Sequence, residues 1–109
     1  MLALKFNFRT IIKEMNMLEN NLIRGTIVKN ELGLHARPAA MIARLAIKAK
    51  SDVWLCREDD QVDASSIIDI LSLACPKGAE VTLTIQTPDD LDILDEIITL
   101  FENNFEEKI

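Results

Sequence analysis

The residues best placed to do chemistry lie in one short stretch, Gly33-Leu34-His35-Ala36-Arg37-Pro38-Ala39, which holds the chain's single histidine. Proline is favoured in the first turn of a helix, where its missing N–H would have had no partner anyway. Pro38 therefore predicts that His35 sits at or just before a helix start, beside backbone amides left free. Such an end carries about half a positive charge and attracts anions. Gly33 allows a sharp backbone approach, and Leu34 can anchor the loop in a core. Arg37 adds a forked donor matched to phosphate oxygens.

A positive helix end and a guanidinium both disfavour an imidazolium, so a neutral, nucleophilic ring is expected. Once phosphorylated, the same ring carries an anion that those groups stabilise. The chemistry this points to is phosphoryl transfer through His35, which depends mainly on positioning and charge stabilisation. No base, metal or additional acid is required beside the histidine. The bland alternative is that His35 is a helix cap on the surface.

Charge follows the same division. The net charge is -6, yet the stretch from Gly33 to Lys50 carries Arg37, Arg44, Lys48 and Lys50 and no acid. From Gln86 onward there are eight acids against Lys108 alone. The basic neighbourhood suits a phosphate or an acidic partner protein. The overall sign argues against nucleic acid or anionic membrane as a partner.

The elements that must position this stretch read in the order βαββαβα. Leu22–Lys29 carries the β-branched run Thr26-Ile27-Val28 and reads as a strand, broken by Asn30-Glu31-Leu32-Gly33. From Ala36 to Ala49, Met41, Ile42, Leu45 and Ala46 recur at helical spacing. Asp52–Arg57 and Gln61–Ala64 form a hairpin around Glu58-Asp59-Asp60. Ser66 precedes a short helix with a Ser-x-x-Asp start, closed by Pro76-Lys77-Gly78. Glu80–Gln86 alternates apolar and polar as a half-buried strand does. Thr87 caps the last helix, Pro88 enters its first turn, and Asp89 and Asp90 suit its positive end. Leu91, Leu94, Ile98, Phe101 and Phe105 then mark one apolar face, with Asp92 and Asp95 on the solvated side. Four strands and amphipathic helices over one face define a two-layer α+β domain.

Residues 1–21 fit no clean period and read as a loosely attached extension, with the domain spanning 22–109. Met15 and Met17 leave room for a later translation start. No apolar run approaches the roughly 20 residues a membrane span needs, and the N-terminus makes a poor signal peptide, so a cytoplasmic protein is expected. Cys56 and Cys75 read as two reduced, mostly buried thiols, and no metal or cofactor is expected.

The segment G-L-H-A-R-P-A resembles the active-site motif of HPr, the histidine-containing phosphocarrier of the bacterial phosphoenolpyruvate:sugar phosphotransferase system. The resemblance continues through V-D-A-S-S-I-I-D-I-L-S-L and K-G-A-E-V-T-L-T-I, covering roughly residues 22–107. It implies an open-faced βαββαβα sandwich, a four-stranded antiparallel sheet under three helices. It implies that His35 accepts a phosphoryl group on Nδ1 from enzyme I and passes it to the A component of a sugar permease, with Ala36 and Arg37 binding the phosphate. The protein would be a monomeric carrier with no independent catalytic turnover.

Partners of the family dock on the first two helices, here Ala39, Ala40, Met41, Arg44, Ile67 and Leu71, although apolar residues at these positions suit a core equally well. Ser66 matches a second site, phosphorylated in many bacteria by a dedicated HPr kinase/phosphorylase, but it is also the natural cap of its helix. Ser65 and Asp69 depart from the common pattern there, and Asp69 would repel a phosphoserine one turn away. The rival function is an HPr-like regulator, nitrogen-related or kinase-controlled, acting by phosphorylation-dependent binding.

Overall fold

The computed structural model describes residues 22–107, so the 1–21 extension lies outside the described residues. Four strands form one antiparallel sheet in the order β1-β4-β2-β3, with β1 Ile23–Ile27, β2 Val53–Arg57, β3 Asp60–Asp63 and β4 Glu80–Ile85. Among the described residues three helices, α1 Ala36–Ala46, α2 Ile67–Ser72 and α3 Leu91–Glu102, complete the βαββαβα order. This is the two-layer α+β arrangement expected from the pattern, and the open-faced sandwich that the resemblance implies.

Alternation along the strands decides which face is covered. Val53 and Leu55 on β2 and Val81, Leu83 and Ile85 on β4 are buried, while their neighbours Trp54, Thr82 and Thr84 are half-exposed. Register places Leu55 beside Leu83, and Trp54 beside Thr84, so each row is uniformly core-facing or outward-facing. The helices meet the apolar rows with Ile42, Ile70, Leu94, Ile97 and Phe101, all fully buried. On α3 it is Ile97 that is fully buried, with Ile98 only packed against the margin of the core.

Helix ends differ from the sequence pattern in instructive ways. Helix α1 stops at Ala46, not Ala49. Just beyond it, the Asp90 carboxylate accepts from the Lys50 and Ser51 amides at 2.8 and 3.1 Å. Asp90 is buried to 2% exposure and so braces a loop instead of sitting in solvent at a helix end. Helix α2 stops at Ser72, well before Pro76. Ala74 takes a left-handed conformation (φ 50°), and the Arg57 guanidinium donates to the Leu73 and Ala74 carbonyls. A side chain from β2 thereby satisfies the carbonyls that α2 leaves open. Before α3, Pro88–Asp90 forms a 3-10 turn, with the Thr87 hydroxyl accepting from the Asp89 amide.

The largest departure concerns Phe105. The α-helix ends at Glu102, and Asn104, Phe105 and Glu106 follow as a left-handed turn with φ of 53°, 55° and 61°. Left-handed backbone costs a non-glycine residue about 1–2 kcal/mol. The Phe105 ring is nonetheless fully buried, edge-on to Phe101 at 4.9 Å between centroids. Burying a phenylalanine contributes about 1.5–3 kcal/mol, and an edge-to-face pair adds roughly 0.5–1.5, enough to offset much of the turn's cost. The turn swings Glu107 back towards the start of α1.

Candidate functional site

The site is built on a loop that must pass under a neighbouring strand connection. Gly33 has φ 68°, and a β-carbon there would lie 2.2 Å from the Cys75 carbonyl oxygen. The approach is held by the Leu34 amide donating to that same oxygen at 2.9 Å. Leu34 is buried at 4% exposure, anchoring the loop as its position suggested. His35 then takes the N-cap position of α1 in an extended conformation, with no bond from its side chain to the helix amides.

The first intrahelical bond runs from the Ala39 amide to the His35 carbonyl at 3.0 Å. As the first residues of the helix, Ala36 and Arg37 have amides with no intrahelical acceptor, and Pro38 has no amide hydrogen to place. The ring lies neither in the core nor fully in water, its side chain being 35% exposed. Arg37 is half-exposed, and its guanidinium donates to the Phe105 carbonyl at 2.8 Å.

The structure adds a group that the motif does not contain. Glu107 Oε2 lies 3.2 Å from His35 Nε2 and 3.7 Å from the Arg37 guanidinium. A carboxylate can only accept, so for a neutral ring this contact is a hydrogen bond only with the proton on Nε2. Nδ1 then keeps the lone pair. The structure thus places an acid beside the histidine, where the chemistry does not require one; with the proton on Nε2, its carboxylate can orient the ring and select its tautomer. Glu107 belongs to the acidic C-terminal stretch, whose charge the sequence revealed and whose destination it did not. Asn30, 4% exposed, donates its side-chain amide to the Gly33 carbonyl at 2.6 Å and to Glu107 Oε2 at 3.3 Å.

The other predicted residues separate by burial. Ala39 is fully buried and belongs to the core, which corrects its assignment to a docking surface. Ala40 and Met41 are half-buried, while Arg44, Ile67 and Leu71 are exposed. Ile47 and Ile68, at 72% and 77% exposure, are large exposed apolar residues on α1's C-terminal edge and on α2 that periodicity did not single out. The Ser66 hydroxyl accepts from the Asp69 amide at 3.2 Å, the capping geometry read from Ser-x-x-Asp. Cys56 and Cys75 are both free, and burial pushes each thiol up from its ordinary range, which keeps them poor nucleophiles. Among the described residues no group of three or more histidine, cysteine or acidic side chains is arranged to hold a metal, and no helix is long and apolar enough to cross a membrane.

A histidine at an open helix start, with a guanidinium on one side and a carboxylate at its far nitrogen, is an arrangement able to carry a phosphoryl group on a sandwich scaffold. Comparison with known proteins agrees. Residues 24–103 match the family described as the PTS HPr component phosphorylation site. The chain is 37% identical over 87 residues to the phosphocarrier protein HPr of Treponema pallidum, covering 80% of this chain and 99% of that one. It is 41% identical over 86 residues to that of Cupriavidus necator, covering 79% and 97%. A crystal structure of HPr from Thermoanaerobacter tengcongensis superposes with a TM-score of 0.75 at 33% identity, over 80% of this chain and 98% of that one. The chain belongs to the HPr family of phosphocarrier proteins of the phosphotransferase system.

Proposed function

We propose that His35 receives a phosphoryl group on Nδ1 from phosphorylated enzyme I and passes it to the A components of sugar permeases. The observation that carries this reading is the contact between Glu107 and Nε2, which leaves Nδ1 as the ring's lone-pair donor. In the forward step the Nδ1 lone pair attacks phosphorus in line while the donor's P–N bond breaks. Positive charge developing on the ring is met by Glu107. The phosphoryl oxygens are received by the Ala36 and Arg37 amides and by the Arg37 guanidinium, which leaves the Phe105 carbonyl to do so. No proton needs to cross the ring, so the reverse step onto an acceptor uses the same arrangement.

Docking is proposed on the exposed faces of α1 and α2, through Ala40, Met41, Arg44, Ile67 and Leu71, extended by Ile47 and Ile68. Apolar side chains ringed by Arg44 and Lys48 suit partners with acidic, partly apolar surfaces. The protein acts as a monomeric, cytoplasmic carrier without turnover of its own. Ser66 is a second candidate for phosphorylation, by an HPr kinase/phosphorylase.

Radiolabel from phosphoenolpyruvate, passed through enzyme I, tests the reading directly. Label is expected on the wild type, stable in alkali and lost in acid, and absent from His35→Ala. Label persisting on that variant ends the proposal. Adding a permease A component separates carrier from regulator: a carrier gives its label up, whereas an HPr-like regulator of the nitrogen-related or kinase-controlled kind retains it.

A further inference from the structure

We propose that Asn30 is a positioning residue for phosphoryl transfer, holding the Glu107 carboxylate in place against the His35 imidazole. This rests on the reading of His35 as the phosphoryl acceptor. Asn30 is 4% exposed, and both groups facing its amide nitrogen, the Gly33 carbonyl and Glu107 Oε2, can only accept hydrogen bonds. That settles the orientation of the amide, since the flipped arrangement would press an oxygen against two others. One hydrogen of Nδ2 goes to Gly33 and the other to Glu107.

The result is a closed set of contacts around the reacting ring. The Asn30 carbonyl accepts from the Gly33 amide at 3.1 Å, while the Gly33 carbonyl accepts from both Asn30 Nδ2 and the His35 amide. Asn30 thus reaches the histidine by two routes: through the Gly33 backbone to its main chain, and through Glu107 to its ring. Among the described residues its own Oδ1 is buried without a partner. A side chain kept there with an unsatisfied acceptor is held for what its nitrogen does. Glu107 arrives by way of a left-handed turn and is 24% exposed, so a buried donor is what confines a carboxylate otherwise free to face water.

A double-mutant cycle with a tautomer readout tests this. Nitrogen-15 shifts of the neutral His35 ring are recorded for wild type, Asn30→Ala, Asn30→Asp and Glu107→Ala, alongside phosphorylation rates with enzyme I. The wild type is expected to show the Nε2–H tautomer in large excess. Asn30→Ala and the near-isosteric Asn30→Asp, which sets a carboxylate against a carboxylate, are expected to mix the tautomers and slow transfer about tenfold. Because Asn30 acts on the ring through Glu107, adding Asn30→Ala to Glu107→Ala is expected to slow transfer little further.

Full additivity, or an unchanged tautomer ratio in both Asn30 variants, overturns the proposal. So does failure of both Asn30 variants to fold, which would make the residue a requirement of the loop alone. A wild type that takes up no phosphoryl group sinks the carrier reading instead, and the tautomer measurement identifies that case separately.

Discussion

Helices α1 and α2 both start from an extended cap residue but have opposite chemistry. The N-cap residues His35 and Ser66 are both extended, and each precedes a first turn with free amides. At α2 the cap folds back, its hydroxyl accepting from the Asp69 amide, and Asp69 adds a carboxylate to the positive end. At α1 the cap makes no such bond and the first turn holds no acid. The first helix start therefore keeps its donors for an incoming anion, while the second commits one of them to its cap and sets a carboxylate beside the rest. What makes a helix start a site is which side chains decline to satisfy it.

The sharpest way to break this contrast is to push the α1 start away from its seat. Gly33→Ala places a β-carbon against the Cys75 carbonyl and a side chain on left-handed backbone. The expected cost is roughly 3 kcal/mol or more, read as a large fall in the urea midpoint, together with loss of phosphorylation. A variant of unchanged stability would show that the loop does not need its close approach to the α2–β4 connection.

Much of this contrast was legible in the residues, and what was hidden has a physical reason. Glycine, histidine, arginine and proline at fixed offsets announce a loop, an open helix start and an anion site together. Spacing, a β-branched run, and turn and capping residues together mark all seven elements, with errors at their ends. Glu107 was hidden because its position depends on three consecutive left-handed residues, none of them glycine. Phe105 lies four residues after Phe101, which also satisfies a continuing helix, so spacing pointed the wrong way. The available signal was Asn103-Asn104, since asparagine tolerates left-handed backbone better than most residues. Asp90 misled in a similar fashion: an acid near a helix start reads as a dipole partner, yet its two bonds run to a loop forty residues away in sequence.

The next effect concerns how the open start holds its anion. Arg37 is half-exposed and engaged with the Phe105 carbonyl, so its contribution is screened by water and comes partly at the cost of that bond. Arg37→Ala is expected to slow phosphoryl transfer about 10- to 100-fold with little loss of stability. Arg37→Lys keeps the charge but not the fork and is expected to recover only part of the rate. Full recovery by lysine would show that charge alone is read at this site. Equal rates in all three proteins would remove the guanidinium from the mechanism.

The smallest effect sharpens the comparison from its closed side. Ser66→Ala removes the bond to the Asp69 amide and exposes donors at the start of α2, which has only six residues over which to share the loss. A cost of about 1 kcal/mol is expected in urea unfolding, with transfer through His35 unchanged. Phosphorylation of the same hydroxyl acts differently: it brings an anion to a positive helix end but sets it near the Asp69 carboxylate. If the cap geometry dominates, the wild type incubated with HPr kinase/phosphorylase and ATP gains a slower band on phosphate-affinity gels that Ser66→Ala lacks. Identical mobility of the two proteins would mean that Asp69 closes this helix start to phosphate, leaving α1 as the end of the molecule that accepts it.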